Sequence, residues 1–331
     1  MRRVGGLIER VVSADNMRLA WLKTIRGKRT QPRVLRFRER LDENLREIAE
    51  DLREGRYRWG DFERFTIYDP KEREIKVASL RDRIAHHALI GVCEPYFDRV
   101  QFAASCACRR DRGSSAAVDL AERWTRSSRF FLKNDVRKYF DSISHDVLKE
   151  QTFRLFKDDA VLKAFFDLID GYESSPGRGV PIGSLTSQFF ANHYLNGLDR
   201  FVFETLKIPR YVRYMDDFVL WSDSRAELVA VRRRIEEFVA ERLKLELKPS
   251  VLNQSRFGLS FLGFSIRDEG VFLTRRSKKR YWRAYGKAME KLAAGEWDEA
   301  EVGRRLTAST AFVKRARSRS FLTRVLNELG N

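Results

Sequence analysis

The segment that most constrains the fold is Tyr214-Met215-Asp216-Asp217, which is flanked by two apolar runs. Tyr211-Val212-Arg213 precedes it and Phe218-Val219-Leu220-Trp221 follows it, and this pattern predicts a β-hairpin. Adjacent residues on a regular strand point to opposite faces, so a turn is needed to bring an acid to an edge. Carboxylate ligands suit Mg²⁺, although an Asp-Asp pair at a turn is also typical of a solvated turn without metal.

A further acid follows another apolar run. Phe130-Phe131-Leu132-Lys133-Asn134 predicts a strand that ends at Asp135. An acid at the end of one strand and an acid pair on a neighbouring hairpin can hold two metal ions. Two such ions, about 3.5–4 Å apart, form the usual clamp for in-line phosphoryl transfer. The pattern therefore predicts nucleotidyl transfer.

The charge balance indicates a polyanionic partner. The 331 residues include 65 basic and 47 acidic side chains, which gives a formal net charge of +18. Residues 275–331 carry 15 lysines and arginines against 6 acids, so half of the excess lies in the last fifth of the chain. A chain this basic attracts nucleic acid over long range and binds it in a salt-dependent way, although basic composition alone is weak evidence.

The order of these motifs along the chain resembles that of the reverse transcriptases. The Asp135 strand resembles the first catalytic block of the polymerase palm, and the hairpin around Met215 resembles the second. Between them lies Gly179-Val180-Pro181-Ile182-Gly183-Ser184-Leu185-Thr186-Ser187-Gln188, and after them Phe261-Leu262-Gly263-Phe264 resembles the primer grip. The resemblance implies an α+β fold of the right-hand polymerase type, with fingers, palm and thumb and an antiparallel palm sheet that carries the hairpin.

The resemblance implies a metal site formed by Asp135, Val136, Asp216 and Asp217, with two Mg²⁺ ions as cofactors and Mn²⁺ as a substitute. The three acids are the expected catalytic residues, with Asp135 and Asp216 as direct ligands and Asp217 assisting nearby. The family usually has a lysine, a candidate general acid, shortly after a leucine-rich strand. Here Lys248, in Leu247-Lys248-Pro249, lies close to that position but is displaced from it, so the general acid stays unassigned.

The resemblance also implies that the incoming nucleotide is bound by Arg73, Phe140, Ile182, Gly183 and Gln188. Arg73 corresponds to a guanidinium that meets the triphosphate. Phe140 corresponds to an aromatic ring that excludes a ribose 2′-hydroxyl. Each has an ordinary alternative, since Arg73 fits a solvated strand charge, Phe140 fits core packing and Ile182 fits an apolar gap.

Among reverse transcriptases, the sequence is most similar to the enzymes of diversity-generating retroelements. The likeness rests on Ile182 to Gln188 and on Cys106-Ala107-Cys108-Arg109 with Gly113. Most other families have Gln in place of Ile182, where it borders the incoming nucleotide, and Pro in place of Gln188. An aliphatic residue removes a hydrogen-bonding contact, so the resemblance implies low fidelity. It further implies that a template-repeat RNA is copied into cDNA with errors opposite adenines, for mutagenic retrohoming.

The predicted organisation has three parts: an N-terminal helical region over 1–60, fingers and palm over 61–268, and a basic helical thumb over 269–331. Leu41, Leu45, Ile48 and Leu52 recur at helical spacing and predict one helix over 33–54. Strands are predicted over 62–68 and 74–78, with a turn at Asp69-Pro70-Lys71. Further helices are predicted from 184 to about 207 and over 225–243, 278–292 and 302–326.

The expected partners are template RNA, the duplex of cDNA and primer, deoxynucleoside triphosphates and a small basic accessory protein. No apolar run is long enough to span a bilayer, and the first residues lack the apolar stretch of a secretory signal. A cytoplasmic protein is therefore expected, and the resemblance implies a bacterial or phage origin. The cysteines suit neither a disulfide framework nor a zinc site and are expected to be reduced, with Cys106 and Cys108 in the packed core of the fingers.

Two alternatives stay open. One is another bacterial reverse transcriptase, of the retron, group II intron or phage-defence type, which shares the chemistry but serves a different element. The other is a non-catalytic RNA-binding module that keeps the fold. The presence of all three acids argues against the second alternative.

Overall fold

The computed structural model describes residues 3–60, 62–68 and 72–329. Its first four helices are α1 Ile8–Val11, α2 Ala14–Thr24, α3 Pro32–Glu39 and α4 Leu41–Arg53. The single helix predicted over 33–54 is therefore wrong, because the backbone leaves the helical region at Arg40, with φ −124° and ψ 45°. The predicted apolar stripe still packs inward, since Leu45, Ile48 and Leu52 are buried.

An antiparallel hairpin and two long helices follow. The strands are β1 Glu63–Tyr68 and β2 Glu72–Val77, and the helices are α5 Leu80–Val100 and α6 Gly113–Arg126. The turn predicted at residues 69–71 lies outside the described residues. Helix α5 begins after Ser79, whose side chain accepts a hydrogen bond from the Asp82 amide and so caps the first turn.

The central sheet has four strands: β3 Phe130–Asp135, β4 Tyr211–Tyr214, β5 Asp217–Ser222 and β6 Val251–Gln254. All neighbouring strands are antiparallel, and their order in the sheet is β4-β5-β3-β6. Strands β4 and β5 form the hairpin predicted around Met215, in which Tyr214 pairs with Asp217. The predicted strand ending at Asp135 is also present, as β3.

Both faces of this sheet are covered, which explains why β5 is apolar at consecutive positions. Phe218 and Leu220 belong to a large core formed mainly by helices. Val219 and Trp221 project to the opposite face and belong to a second core. A strand buried on both faces needs apolar residues throughout rather than at alternate positions.

Six helices accompany the central sheet: α7 Tyr139–Ser142, α8 His145–Leu155, α9 Asp159–Asp170, α10 Leu185–Tyr194, α11 Asn196–Arg200 and α12 Arg225–Leu243. The range of α12 agrees with its prediction. The helix predicted from 184 to about 207 is interrupted, because α10 ends at Tyr194 and α11 is followed by a π-helical turn, Phe201–Thr205.

The last part of the chain contains a three-stranded antiparallel sheet and three helices. They are β7 Leu259–Phe261, β8 Phe264–Arg267, β9 Gly270–Leu273, α13 Arg275–Ala293, α14 Glu299–Lys314 and α15 Arg319–Leu329. The single helix predicted over 302–326 is wrong, because the Arg317 amide donates to the Val271 carbonyl and holds the connecting segment against β9. The boundary predicted at 268/269 falls between β8 and β9, and the three-part division stays a prediction. No helix in the described ranges combines the length and apolar character needed to cross a bilayer.

The cysteines are free. Cys106 is buried, but its neighbours include Val118 of α6 and Val219 of the central sheet. Cys108 is only partly buried. The expectation that both lie in the packed core of the fingers is therefore wrong for Cys108, because its segment lies at the protein surface.

A fully buried ion pair lies beneath the β4-β5 hairpin. Arg213 donates through Nη2 to Asp199 Oδ2 at 2.6 Å and through Nε to Asp199 Oδ1 at 2.7 Å. Tyr211 donates to Asp199 Oδ1 at 2.7 Å, and Arg213 Nη1 donates to Asn192 Oδ1 at 2.9 Å and to the Met215 carbonyl at 3.1 Å. Burial alone would lower the pKa of Arg213, but Asp199 raises it above its ordinary value. The arginine is therefore charged, and it holds the hairpin turn.

We predict that Asp199→Asn lowers the free energy of unfolding by about 3–5 kcal/mol, because Arg213 is left as a buried charge without its counter-ion. Urea unfolding followed by circular dichroism measures the change. Glu204→Gln is the control, since Glu204 pairs with Arg200 at the surface and contributes less than about 1 kcal/mol. Equal losses in the two variants would contradict the importance of the buried pair.

Candidate active site

Two acids meet at one end of the central sheet. Asp135 is the last residue of β3 and Asp217 is the first residue of β5, and the two are direct cross-strand partners. Directly opposed residues on neighbouring strands project from the same face, so the two carboxylates share a face. Asp216 lies beside them in the two-residue loop of the hairpin, after Met215, which has a φ of 56°.

The surroundings of Asp217 perturb its carboxyl group. Its Oδ2 accepts a hydrogen bond from Lys133 Nζ at 2.9 Å, whereas its buried Oδ1 has no hydrogen-bond partner. Burial raises the pKa of Asp217 to about 6; Lys133 opposes this rise, and the charges of Asp135 and Asp216 add to it. The three acids therefore interact electrostatically, and the site favours an additional positive charge.

Lys248 forms an ion pair with Asp135. The Lys248 ammonium donates to Asp135 Oδ1, and the Lys248 amide donates to the Asp135 carbonyl at 2.8 Å. Next to it, Val136 forms an antiparallel bridge with Leu247. Lys248, although displaced along the sequence from the family's usual lysine position, thus lies directly beside the predicted metal site.

A cavity of about 980 Å³ opens beside the hairpin loop. Four of the predicted site residues line it: Val136, Phe140, Ile182 and Asp216. Lys248 also lines the cavity, and β2 contributes Lys76, which is buried and donates a hydrogen bond to the Tyr172 hydroxyl. The cavity is large enough for a nucleotide, and both acids and lysines line it.

The loop at Ile182 and Gly183 packs against the β1-β2 hairpin. The Ile182 carbonyl accepts a hydrogen bond from the Lys76 amide at 2.9 Å. Gly183 has a φ of 107°, and a Cβ there would lie 3.0 Å from both Ile75 Cγ2 and the Lys76 carbonyl oxygen. Only glycine therefore allows this close approach of the two backbones.

Two predicted nucleotide-binding residues, Gly183 and Gln188, do not line the cavity. Gln188 is exposed on α10 and accepts a weak hydrogen bond from Cys108 Sγ at 3.5 Å. Arg73 lies on β2 opposite Ile67, but its side chain lies outside the described part of the structure. The cavity thus includes Ile182 and Phe140 but not Gln188.

The predicted primer-grip segment forms the tight turn between β7 and β8. Phe261 is buried, and Leu262 and Gly263 have φ values of 48° and 85°, as a two-residue hairpin turn of this type requires. The Gly263 carbonyl accepts hydrogen bonds from Ser277 Oγ at 2.7 Å and from Thr274 Oγ1 at 3.1 Å. The turn is therefore fixed to the beginning of α13.

Lys133 connects this turn region to the acids, and sequence reasoning did not single it out. Its Nζ donates to the Ser260 carbonyl at 2.8 Å and lies 5.6 Å from the centre of the Phe261 ring, while it also binds Asp217. Lys133 could have been found from its position two residues before Asp135, because this spacing places both side chains on one face of β3.

The donor set fits divalent ions whose coordination is completed by substrate phosphates. Within the described ranges, no three acidic, histidine or cysteine side chains already meet closely enough to hold a metal ion. Mg²⁺ is commonly bound through one or two carboxylates together with substrate phosphates and water. The unpartnered Asp217 oxygen and the lysines against Asp135 and Asp217 mark where positive charge is favoured.

The sequence is similar to those of two known proteins. The group II intron-encoded protein LtrA of Lactococcus lactis subsp. cremoris is 21% identical over 324 residues, covering 76% of this chain and 54% of LtrA. Protein YkfC of Escherichia coli (strain K12) is 24% identical over 276 residues, covering 69% of this chain and 72% of YkfC. The chain spans about half the length of LtrA.

Solved structures share the fold. A telomerase from Candida albicans, in complex with the TWJ fragment of telomeric RNA, has a TM-score of 0.51 at 13% identity, covering 83% of this chain and 60% of that chain. Apo telomerase from Candida tropicalis has a TM-score of 0.51 at 11% identity, covering 81% and 62%. The similarity confirms the predicted α+β fold of the right-hand polymerase type.

The family model described as reverse transcriptase (RNA-dependent DNA polymerase) matches residues 70–266. This range is more than half of the chain and runs from β2 through β7, so it includes the strands and the loop that carry the three acids. The chain therefore belongs to the reverse transcriptase family.

Proposed function

We propose that this chain is an RNA-directed DNA polymerase that copies an RNA template into cDNA. The observation that carries the proposal is the pairing of Asp135 with Asp217 across the sheet, beside a cavity of about 980 Å³ that contains Asp216. Carboxylates at the wall of a nucleotide-sized cavity suit phosphoryl transfer. Template RNA, a primer duplex with cDNA and deoxynucleoside triphosphates are the proposed substrates.

The proposed catalytic residues are Asp135, Asp216 and Asp217. Reverse transcriptase domains generally depend on divalent metal ions, and we propose two Mg²⁺ ions, with Mn²⁺ as a substitute, held by Asp135, Val136 and Asp216. When bound, such ions activate the primer 3′-hydroxyl and stabilise the leaving pyrophosphate. Asp217 supplies negative charge close to both ligands. Lys248 pairs with Asp135 and lines the cavity, and with ions bound at Asp135 it would be available there as an ammonium donor.

The cavity walls supply the proposed nucleotide contacts. Phe140 presents an aromatic ring near Asp216 and restricts the sugar to deoxyribose. Ile182 and Gly183 border the nascent base pair, and their packing against β2 keeps them in place. On the basis of the family resemblance, we assign Arg73 to binding of the triphosphate and Gln188 to contact with the template. Phe261, Leu262 and Gly263 hold the primer end.

For the biological role, we propose the diversity-generating type, in which cDNA with errors opposite adenines serves mutagenic retrohoming with a small basic accessory protein. The aliphatic Ile182 and the serine-rich motif after it support this assignment. The similarity to LtrA, named as a group II intron-encoded protein, favours the alternative of an intron-like bacterial enzyme. The error spectrum separates the two.

We predict that Asp216→Ala lowers primer extension on a defined RNA template by about 10³-fold or more, because a metal ligand contributes several kcal/mol to the transition state. The assay uses Mg²⁺ and all four deoxynucleotides. Asp223→Ala is the matched control, since Asp223 lies at the other end of β5 and pairs with Arg210 at 2.8 Å. Equal product from wild type and Asp216→Ala would exclude polymerase activity at this site and favour a non-catalytic RNA-binding module.

We predict that Ile182→Gln lowers misincorporation opposite template adenines by about fivefold or more, because it restores one hydrogen-bonding group beside the base pair. Sequencing of the cDNA made on an adenine-rich RNA template measures the change. Ile182→Val is the control, since it keeps an aliphatic side chain and should keep the error pattern. Accurate cDNA from the wild type would instead favour the retron-like or intron-like alternative.

We predict a pH dependence that originates at Asp217. Its pKa is raised from 3.8 to about 6, so the folded protein binds this proton more tightly than the unfolded chain does. The resulting stabilisation is complete below pH 3.8 and is lost as the pH rises to about 6, by about 3 kcal/mol at most. Asp217→Asn should remove this loss, so that the metal-free variant is more stable than the wild type at pH 7.

Urea unfolding from pH 4.5 to pH 7.5 in the presence of a chelator checks the pH prediction. Asp223→Asn is the control, because the hydrogen bond from Arg210 lowers the pKa of Asp223 and its contribution has the opposite sign. Parallel curves for the wild type and Asp217→Asn would refute the predicted role of Asp217.

A further inference from the structure

A second cavity, of about 660 Å³, lies away from the candidate active site. Its walls include the last residues of α8 and the end of α10, whereas the catalytic cavity lies near the starts of these helices. The two cavities share no lining residue. Any ligand of this second cavity, here called the rear cavity, therefore binds independently of the nucleotide that is being polymerised.

The rear cavity has a cationic rim. Arg3, Arg154 and Arg200 line it, and no acid does. Arg154 and Arg200 each form an ion pair one helical turn along their own helix, with Glu150 and Glu204. Such exposed pairs contribute about 1 kcal/mol or less, so a phosphate can compete for both guanidinium groups.

An exposed aromatic ring lies at the same rim. Phe153 is 49% exposed, and the Arg3 guanidinium lies 3.8 Å from its ring centre. Arg3 is held in this position by a hydrogen bond from its Nε to the Phe156 carbonyl at 2.8 Å. The guanidinium therefore covers one face of the phenyl ring, and the outer faces of this stacked pair are flat surfaces on which nucleobases stack, with little dependence on sequence.

The inner wall carries polar atoms that lack partners. Gln151 Oε1, His193 Nδ1 and Asn196 Oδ1 are buried without a hydrogen bond, and all three side chains line the rear cavity. Leaving such atoms unpaired costs about 1–3 kcal/mol each, so the three atoms indicate that water or a polar ligand pairs with them. Gln151 Nε2 donates to the Tyr194 carbonyl at 3.1 Å, and the buried Oε1 becomes available to a ligand when the side chain turns. This oxygen is an acceptor that requires a donor.

We propose that the rear cavity binds one unpaired nucleotide of an RNA, with the base stacked on Phe153 and Arg3 and the phosphates on Arg154 and Arg200. An exocyclic amino group of the base donates to Gln151 Oε1 once the side chain turns toward the ligand. Adenine, cytosine and guanine have such a group and uracil does not, so the cavity discriminates against uridine. The site anchors RNA outside the catalytic cleft, and it goes beyond the proposed polymerase function and does not depend on it.

The experiment measures binding of fluorescein-labelled RNA hexamers by anisotropy, with the catalytic cleft filled by an excess of unlabelled primer and template hybrid. Hexaadenylate is compared with hexauridylate. We expect the wild type to bind hexaadenylate about fivefold or more tightly than hexauridylate. Phe153→Ala should lower the affinity for hexaadenylate about fivefold or more, and Gln151→Leu should abolish the preference for adenine.

Phe257→Ala is the matched control, because Phe257 is 59% exposed, has Arg256 over its ring at 4.8 Å and lines neither cavity. Primer extension by each variant shows that it is folded and separates a failure of the rear cavity from a failure of the polymerase proposal. Phe153→Leu, which keeps an apolar side chain without the ring, should behave like Phe153→Ala.

Three outcomes would overturn the proposal. The first is equal binding of the two hexamers by the wild type, which would mean that water satisfies the wall atoms. The second is an equal loss of affinity in Phe257→Ala and Phe153→Ala. The third is displacement of hexaadenylate by free adenosine monophosphate at a similar concentration, which would assign the cavity to a free nucleotide instead of RNA.

Discussion

The buried pair of Arg213 and Asp199 determines the position of the acid-bearing hairpin. Arg213 contacts α11 through Asp199, α10 through Asn192 and the turn through the Met215 carbonyl. One guanidinium therefore fixes the loop relative to the helices beneath it. Such a charge tolerates burial only when each of its donors has a partner. The loop that carries Asp216 therefore has a defined position even though Met215 adopts a left-handed conformation.

The central sheet brings the acids together at the candidate active site. Strand β5 is buried between two separate cores and becomes only partly buried at its first residue, Asp217. Asp135 and Asp217 are paired at this end of the sheet, and Lys133 and Lys248 partly neutralise them from two sides. Burial nevertheless raises the pKa of Asp217, and the charges of Asp135 and Asp216 add to this rise in spite of Lys133. A site with this excess of negative charge is suited to receive cations together with a triphosphate.

The sequence predicted the parts of the fold that depend on local patterns. The strand ending at Asp135, the hairpin around Met215 and helix α12 follow from apolar runs, turn residues and helical spacing. The helix break at Arg40 was missed because both flanking segments have good helical patterns. Lys133 was missed, and Lys248 was noted without its contact with Asp135, since strand register decides which distant side chains meet. Similarly, an arginine in an apolar strand indicates a buried acid but does not identify Asp199.

The order of the strands has a consequence for the growing chain. Strand β3 lies between β5 and β6, so Phe130 pairs with Ser222 on one side and with Gln254 on the other. Its apolar side chains have no sheet partner until about a hundred further residues have been synthesised, whereas the first helices contact one another within a short stretch of chain. Long-range pairing of this kind forms slowly and leaves apolar strands exposed meanwhile. Assembly of the acids is thus a late event in folding, and nascent chains truncated before β6 are the ones that chaperones should retain longest.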